Sequence, residues 1–334
     1  MLRLGLFTTD INQIVTKYYY DLIKQNKNFS IDLISPDLLG SINNFQLIII
    51  PPYKEEYKYI DKIRSTNKRI CFLDPRNNNQ ASNLKPSDIC IIDSIEQYDF
   101  VSKYTQNLIT YYEFPYFEKL NIQKVKKSEE INIFYHGNKV HLNSARNTLL
   151  RAINNIEKEF KINFHLCYNI DKLGLFKTSL SSAIHHQWHK DIYLELAPEM
   201  DIGVCPSLIP IKLPSILKKI SSSKKDNSDI EDYIHRFKIP SNPGRIISMI
   251  MMGLPVIADM YPSACQVINH TEDGFLVSSE RGWYTAIKKY ILSSDLRINH
   301  AKKLQDKFNQ RFAPEVQNKK LEQTLKVFLE KRYY

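Results

Sequence analysis

Apolar runs of strand length recur along the chain, separated by amphipathic stretches of helix length. In the first half the runs are Leu2 to Phe7, Ser30 to Ile34, Leu47 to Ile50, Arg69 to Leu73, Ile89 to Ile92 and Leu108 to Tyr112. Between them, "INQIVTKYYYDLIKQN" and "EEYKYIDKIRST" carry the three-to-four-residue spacing of helices, with Tyr18, Tyr19 and Tyr20 on a face that packs on the sheet. The second half repeats the alternation. Its strands are Ile131 to Tyr135, Asn163 to Cys167, Ile202 to Cys205, Pro255 to Ala258 and Gly274 to Val277. Its helices are Ala145 to Phe160, Asn242 to Met252, Ser263 to Asn269 and Trp283 to Leu292. Strands alternating with helices predict parallel sheets covered on both faces, an α/β protein.

The alternation pauses at "EFPYFEKLNIQKVKKSEE", so a domain boundary is expected near residues 118 to 130. A second departure, residues 209 to 235, is rich in Lys, Ser and Asp and has no clean period, which predicts a long insertion. From about residue 296 the tail reads as helices that must pack on something.

Length agrees with two domains, since 334 residues exceed the size at which one core keeps growing. With 43% hydrophobic and 25% charged residues, the makeup is that of a globular protein. No run of about 18 apolar residues occurs and the first residues lack a signal-peptide core, so a cytoplasmic location is expected. The five cysteines are far apart and form no CxxC pair, which argues against disulfides and zinc and predicts small core residues. The net charge of +10 is spread along the chain, interleaved with acids and Ser. That distribution favours phosphorylated ligands or an anionic membrane surface over nucleic acid.

Ligands of open α/β sheets bind outside the carboxyl ends of the strands. Three loops stand out there. In "FYHGNKVHLNSARN", His136, Gly137 and Asn138 lead from a strand into a helix; Gly137 permits close backbone approach, and Lys139 or Arg146 can face an anion. In "KIPSNPGRII", Asn242 suits a helix N-cap and Pro243 the first helical position, with Gly244, Lys238 and Arg245 around the free N–H groups. Donors and cations together suit a diphosphate. In "DMYPSACQVI", Ser263 and Ala264 open a second helix beside it. "HHQWH" places His185 and His189 at helical spacing, but no zincin glutamate follows and no metal site is expected. No GxSxG, GxGxxG, Walker A or Asp-x-Asp sequence is present.

The stretch "KIPSNPGRIISMIMMGLPVIADMYPSACQVINHTEDGFLVSSERGWYTAIKKYI" resembles the donor half of GT-B glycosyltransferases of family 4 (group 1). "YHGN" is similar to the glycine turn that opens that donor domain, and "MDIGVCPS" to the strand before its donor loop. The resemblance covers residues 131 to 295; the first 130 share only the architecture. Ser248 stands where that family commonly carries a glutamate, and no His precedes His136.

The resemblance implies two Rossmann-like domains with a cleft between them and C-terminal helices crossing back to the first. An acceptor domain would span residues 1–125, a nucleotide-sugar donor domain 126–310 and a returning helix 311–334. It implies transfer of a sugar from a nucleotide-diphosphate sugar to a hydroxyl of a saccharide or glycolipid in surface-glycan biosynthesis. Lys238 and Arg245 would neutralise the leaving diphosphate. His136, Gly137, Asn138, Arg146, Asn242, Gly244, Ser263 and Ala264 would bind the donor, with no metal or further cofactor. The acceptor would lie against Thr8 to Gln13 and Asp74 to Gln80, with Asp10 as candidate base. The expected partners are the nucleotide sugar, a saccharide or lipid-linked acceptor and an anionic membrane face, not nucleic acid. Two alternatives share the fold: a catalytically degenerate scaffold subunit and a nucleotide-sugar epimerase.

Overall fold

The computed structural model of the protein describes residues 2–10, 12–66, 68–117, 130–207 and 242–330. Lys238, the expected insertion at 209–235 and most of the expected boundary lie outside the described residues. The chain forms two compact units. Unit 1 comprises Met1–Glu118, Asn242–Gly244 and Lys307–Tyr334, and unit 2 comprises Lys119–Ser241 and Arg245–Asp306.

The sheet of unit 1 is built from β1 (Leu2–Phe7), β2 (Phe29–Ile34), β3 (Leu47–Ile50), β4 (Arg69–Leu73), β5 (Ile89–Ile92) and β6 (Leu108–Thr110). All pair in parallel, in the order β2-β1-β3-β4-β5-β6. The central β3 and β5 are apolar and fully buried at every position, as strands covered on both faces must be. Helix α1 (Ile14–Ile23) buries Thr16, Tyr19, Leu22 and Ile23, so of the three tyrosines Tyr19 goes furthest into the interior. Helix α2 (Ile95–Val101) is capped by Ser94, whose side chain accepts from the Gln97 N–H.

Unit 2 contains β7 (Ile131–His136), β8 (Ile162–Tyr168), β9 (Ala183–Gln187), β10 (Ile202–Cys205), β11 (Val256–Asp259) and β12 (Phe275–Val277), again all parallel. Their order is β12-β11-β10-β7-β8-β9. The helices are α3 (Lys139–Ser144), α4 (Leu149–Ile156), α5 (Gly244–Met251), α6 (Pro262–Val267) and α7 (Glu280–Leu292). Of the expected helix Ala145 to Phe160 only Leu149–Ile156 is helical, as α4; Ala145–Thr148 links it to α3, which precedes the expected start. The stretch expected at helical spacing around His185 is the edge strand β9. There His185 accepts or donates at 2.9 Å with the Tyr168 hydroxyl, and His186 stacks on His165. The core runs from Ile133 and Leu166 to Trp283 and Tyr290.

The tail forms α8 (Ser294–Arg311) and α9 (Pro314–Glu330), and α9 belongs to unit 1. Its buried amides do the fastening. Asn318 donates to the Leu22 carbonyl at 2.9 Å and accepts from the Tyr111 hydroxyl at 3.0 Å; Gln317 accepts from the Tyr112 N–H at 2.7 Å. Four of the five cysteines are buried, as expected of core residues, while Cys265 is exposed on α6. Among the described residues no helix is long and apolar enough to cross a membrane.

Candidate functional site

Counted from the start of unit 2, its strand order is 6-5-4-1-2-3. The chain therefore leaves β7 toward one side of the sheet and β10 toward the other. The crevice where such an order reverses is the ligand site of dinucleotide-binding folds. Two loops meet there: His136-Gly137-Asn138 after β7 and Pro206-Ser207 after β10.

Arg245, in the first turn of α5, bridges those loops. Its Nη1 donates to the Pro206 carbonyl at 3.0 Å and its Nη2 to Ser207 Oγ at 2.5 Å. Both hydrogen-bond partners are neutral, and among the described residues no carboxylate lies within ion-pair distance of Arg245, although the Asp259 charge acts on it. Asp259, at the end of β11, is occupied by the Ser207 N–H at 2.7 Å. Gly137 is required by this packing. Its φ is +152°, and a Cβ there would come within 2.8 Å of both Arg245 Nη1 and the Tyr135 hydroxyl. That hydroxyl donates to the Asn138 carbonyl at 2.8 Å, closing the loop, and the Asn138 side chain caps α3.

His136 contributes no second cation. Both ring nitrogens lie within 2.8 Å of the Tyr193 hydroxyl, and burial, with the Arg245 charge beside it, holds its pKa down at about 3. A neutral imidazole beside a fixed guanidinium makes a site with one positive charge and several neutral hydrogen-bonding groups. Such an arrangement can hold an anion and stabilise negative charge that develops on it.

The other expected residues are distributed differently. Arg146 is exposed, donates to the Lys177 carbonyl at 3.1 Å and lies over the Phe176 ring, so it braces the loop after β8 rather than joining Arg245. Ser263 and Ala264 are fully buried in the six-residue α6, and the residue of that loop that reaches the site is Tyr261, which Arg245 and Ser207 both influence. Helix α5 begins at Gly244, one residue later than expected. Asn242 and Gly244 belong to unit 1, where the Asn242 amide donates to Glu113 Oε1 at 2.9 Å. Asp10 is exposed and accepts from the Asn12 N–H in a local turn.

A second set of groups was expected only in part, through the acceptor loop that begins at Asp74. At the carboxyl ends of β4, β5 and β6, unit 1 places Asp74, Asp93 and Glu113, all buried. Asp74, at a left-handed φ of 43°, pairs with Arg76 at 2.5 Å and accepts from the Gln97 amide. Gln97 Oε1 in turn accepts from the Asp93 N–H at 2.9 Å. Burial, together with Asp74 and Glu113, pushes the Asp93 carboxyl well above the usual carboxylate range, and burial lifts Glu113 to about 7 against the pull of Arg76. The signal was in the sequence: each acid follows directly on, or within three residues of, an apolar strand run.

No family model matches the chain, and no curated protein matches it. Solved structures do, at low identity. A glycosyltransferase from Rickettsia africae superposes with a TM-score of 0.69 at 12% identity, covering 99% of each chain. The Anabaena protein HepE, in complex with UDP and glucose, gives 0.65 at 11% identity over 98% of this chain and 100% of its own. Sucrose-phosphate synthase from Thermosynechococcus elongatus gives 0.64 at 11% identity over 98% and 99%. The fold is that of the GT-B glycosyltransferases, as the resemblance implied.

Proposed function

We propose that the protein is a glycosyltransferase that moves a hexose from a nucleotide-diphosphate sugar to a hydroxyl of a saccharide or glycolipid acceptor in surface-glycan assembly. The observation that carries this reading is Arg245, a cation held by neutral groups at the switch point of a Rossmann-ordered sheet. The GT-B neighbours add to it: HepE has been solved with UDP and with UDP-glucose. As the bond between the sugar and the diphosphate stretches, negative charge gathers on the leaving group. A guanidinium already fixed in place lowers that barrier without reorganising. Arg245 supplies positive charge that a metal provides in other sugar transferases, so transfer is expected to survive chelation of divalent ions. Lys238 and the loop at Gly137 and Asn138 are further donor contacts on this reading.

The test is thermal unfolding with a panel of nucleoside diphosphates, followed by release of nucleotide from the matching sugar donor. A nucleoside diphosphate should raise the Tm of the wild type and not of Arg245→Ala. No response to any nucleotide would overturn the reading. A response without donor turnover, with or without acceptors, would point instead to the non-catalytic binding subunit.

A further inference from the structure

In a chain with ten positive charges in excess, the carboxyl edge of the unit 1 sheet is strongly acidic. Glu56, Asp74 and Asp93 are completely buried there and Glu113 nearly so, and among the described residues the one guanidinium paired with them is Arg76. The acids act on one another: Asp93 responds to Asp74, Glu113 and Arg76, and the Tyr53 hydroxyl to Arg76, Glu113 and Glu56.

The cluster is also short of donors. Glu56 Oε1 accepts from the Thr9 N–H and hydroxyl, Asp74 is held by Arg76 and Gln97, and Glu113 Oε1 is held by Asn242. Among the described residues, Oε2 of Glu113 and Oε2 of Glu56 are left without a hydrogen bond, and the Asp93 carboxyl has only the Asn242 side chain to serve it. The fully buried Tyr19 hydroxyl has no hydrogen-bond partner among the described residues, and the charges of Asp93, Asp74, Glu113 and Arg76 all act on it. It is a non-acidic group directed into the same place.

Burying an ionised carboxylate without donors or a counter-charge costs several kcal/mol. That cost keeps Asp93 protonated, and a guest that brings hydrogens to donate and positive charge lets it ionise. A sugar hydroxyl brings one donor and no charge. A primary ammonium brings three donors, one positive charge and no acceptor that would compete. We propose that this cluster is the acceptor subsite of the transferase proposed above, and that its acceptor carries a protonated primary amine, as an amino sugar does. The proposal rests on the glycosyltransferase reading for the word acceptor, and on Asp93, Glu113 and Tyr19 for the amine.

The experiment is thermal unfolding of the full chain with glucosamine, N-acetylglucosamine and glucose, in salt of matched ionic strength, with UDP as a separate arm. Glucosamine at ten times its dissociation constant should raise Tm by about 2 to 5 °C. Glucose and N-acetylglucosamine, which lack the ammonium, should not. Asp93→Asn should abolish the glucosamine shift and keep the UDP shift; Glu113→Gln serves as the second variant if Asp93→Asn does not fold. Equal shifts from glucose or N-acetylglucosamine, no shift from glucosamine, or a glucosamine shift that persists in both variants overturns the amine site. A glucosamine shift without any nucleotide response would support the amine site and sink the glycosyltransferase reading instead.

Discussion

The carboxyl edges of the two sheets occupy equivalent places in their units and carry opposite chemistry. In unit 2 one guanidinium, Arg245, is held by a carbonyl and a hydroxyl beside an imidazole kept neutral. In unit 1 three carboxyls crowd around one guanidinium and one of them stays near neutrality in its titration. Topology explains why both places gather polar groups, because strand ends are where loops and helix starts converge. It does not explain the sign. The sign comes from single side chains at strand ends, and it separates a site suited to an anion from one suited to a cation.

The sharpest way to break this contrast is to remove the cation. Arg245→Ala should lower turnover of a nucleotide sugar by about 100- to 1,000-fold, the usual cost of losing one preorganised donor to developing charge. Steady-state release of nucleotide measures it. Turnover within a few-fold of wild type would show that the unit 2 edge is not the place where leaving-group charge is met.

Titration exposes the same contrast with opposite slopes. Glu113 is raised to about 7 from the roughly 4.3 of an unfolded glutamate. Between those values the folded chain keeps a proton that the unfolded chain has lost, so this group's contribution to stability falls as pH rises from about 4.3 to about 7. Glu113→Gln, which keeps an oxygen for Asn242 to donate to, should be more stable than wild type at pH 8 by up to about 4 kcal/mol and unchanged near pH 4.5. His136 runs the other way. Its folded pKa of about 3 lies below the roughly 6.5 of a free imidazole, so its contribution is complete above pH 6.5 and lost as pH falls toward 3. Denaturant unfolding of Glu113→Gln and His136→Asn across pH 4 to 8 should flatten one slope each; a variant that leaves its slope intact removes that residue from the account.

How much of this was legible beforehand depends on what each element needs. The strands Leu47–Ile50 and Ile89–Ile92 were found to the residue, because a strand buried on both faces must be apolar throughout. Edge strand β9 was not, since only partial burial is asked of Ala183–Gln187 and its paired histidines mimic a helical spacing. Arg245 was visible because a helix start, a glycine and a cation fall within a few residues of each other. The acids were not assembled into a cluster for the converse reason: each ends an apolar run and Asp74 opens a loop expected against the acceptor, but Asp74, Asp93 and Glu113 are about twenty residues apart and meet only through the register of β4, β5 and β6. Asn242 was expected as a helix N-cap and donor-binding residue, and its amide serves Glu113, a partner 129 residues away.

Backbone conformation gives the next smaller effect. At Gly137→Ala the added Cβ meets Arg245 and Tyr135 at 2.8 Å with φ at +152°. The substitution should cost about 2 kcal/mol, as residues forced into sparsely populated conformations do. It should also weaken nucleotide binding, because the Arg245 guanidinium is one of the two groups that must move. A drop in Tm with unchanged nucleotide affinity would separate Gly137 from the anion site. The equivalent test in unit 1 is Gly244→Ala, whose Cβ would stand 2.6 Å from the Glu113 carbonyl and displace the turn that carries Asn242.

The smallest expected effect isolates unit 1 from its neighbour along the chain. Asn318 on α9 uses both ends of its amide, donating to the Leu22 carbonyl and accepting from the Tyr111 hydroxyl, and Asn26 donates to its backbone carbonyl. Asn318→Ala leaves the buried Tyr111 hydroxyl without its partner and the Leu22 carbonyl with only backbone donors such as the Gln25 N–H, at a cost of about 1 to 2 kcal/mol. Tyr111 stacks on Tyr19, the tyrosine whose hydroxyl faces the acids, so the loss should loosen the wall of the acid cluster before it reaches anything else. Hydrogen exchange should therefore quicken for amides of α1, β5 and β6, and stay unchanged for β7, β10 and β11 around Arg245. Uniform quickening across both sheets would mean that the two edges share one cooperative unit, and the contrast between them would then be chemical but not energetic.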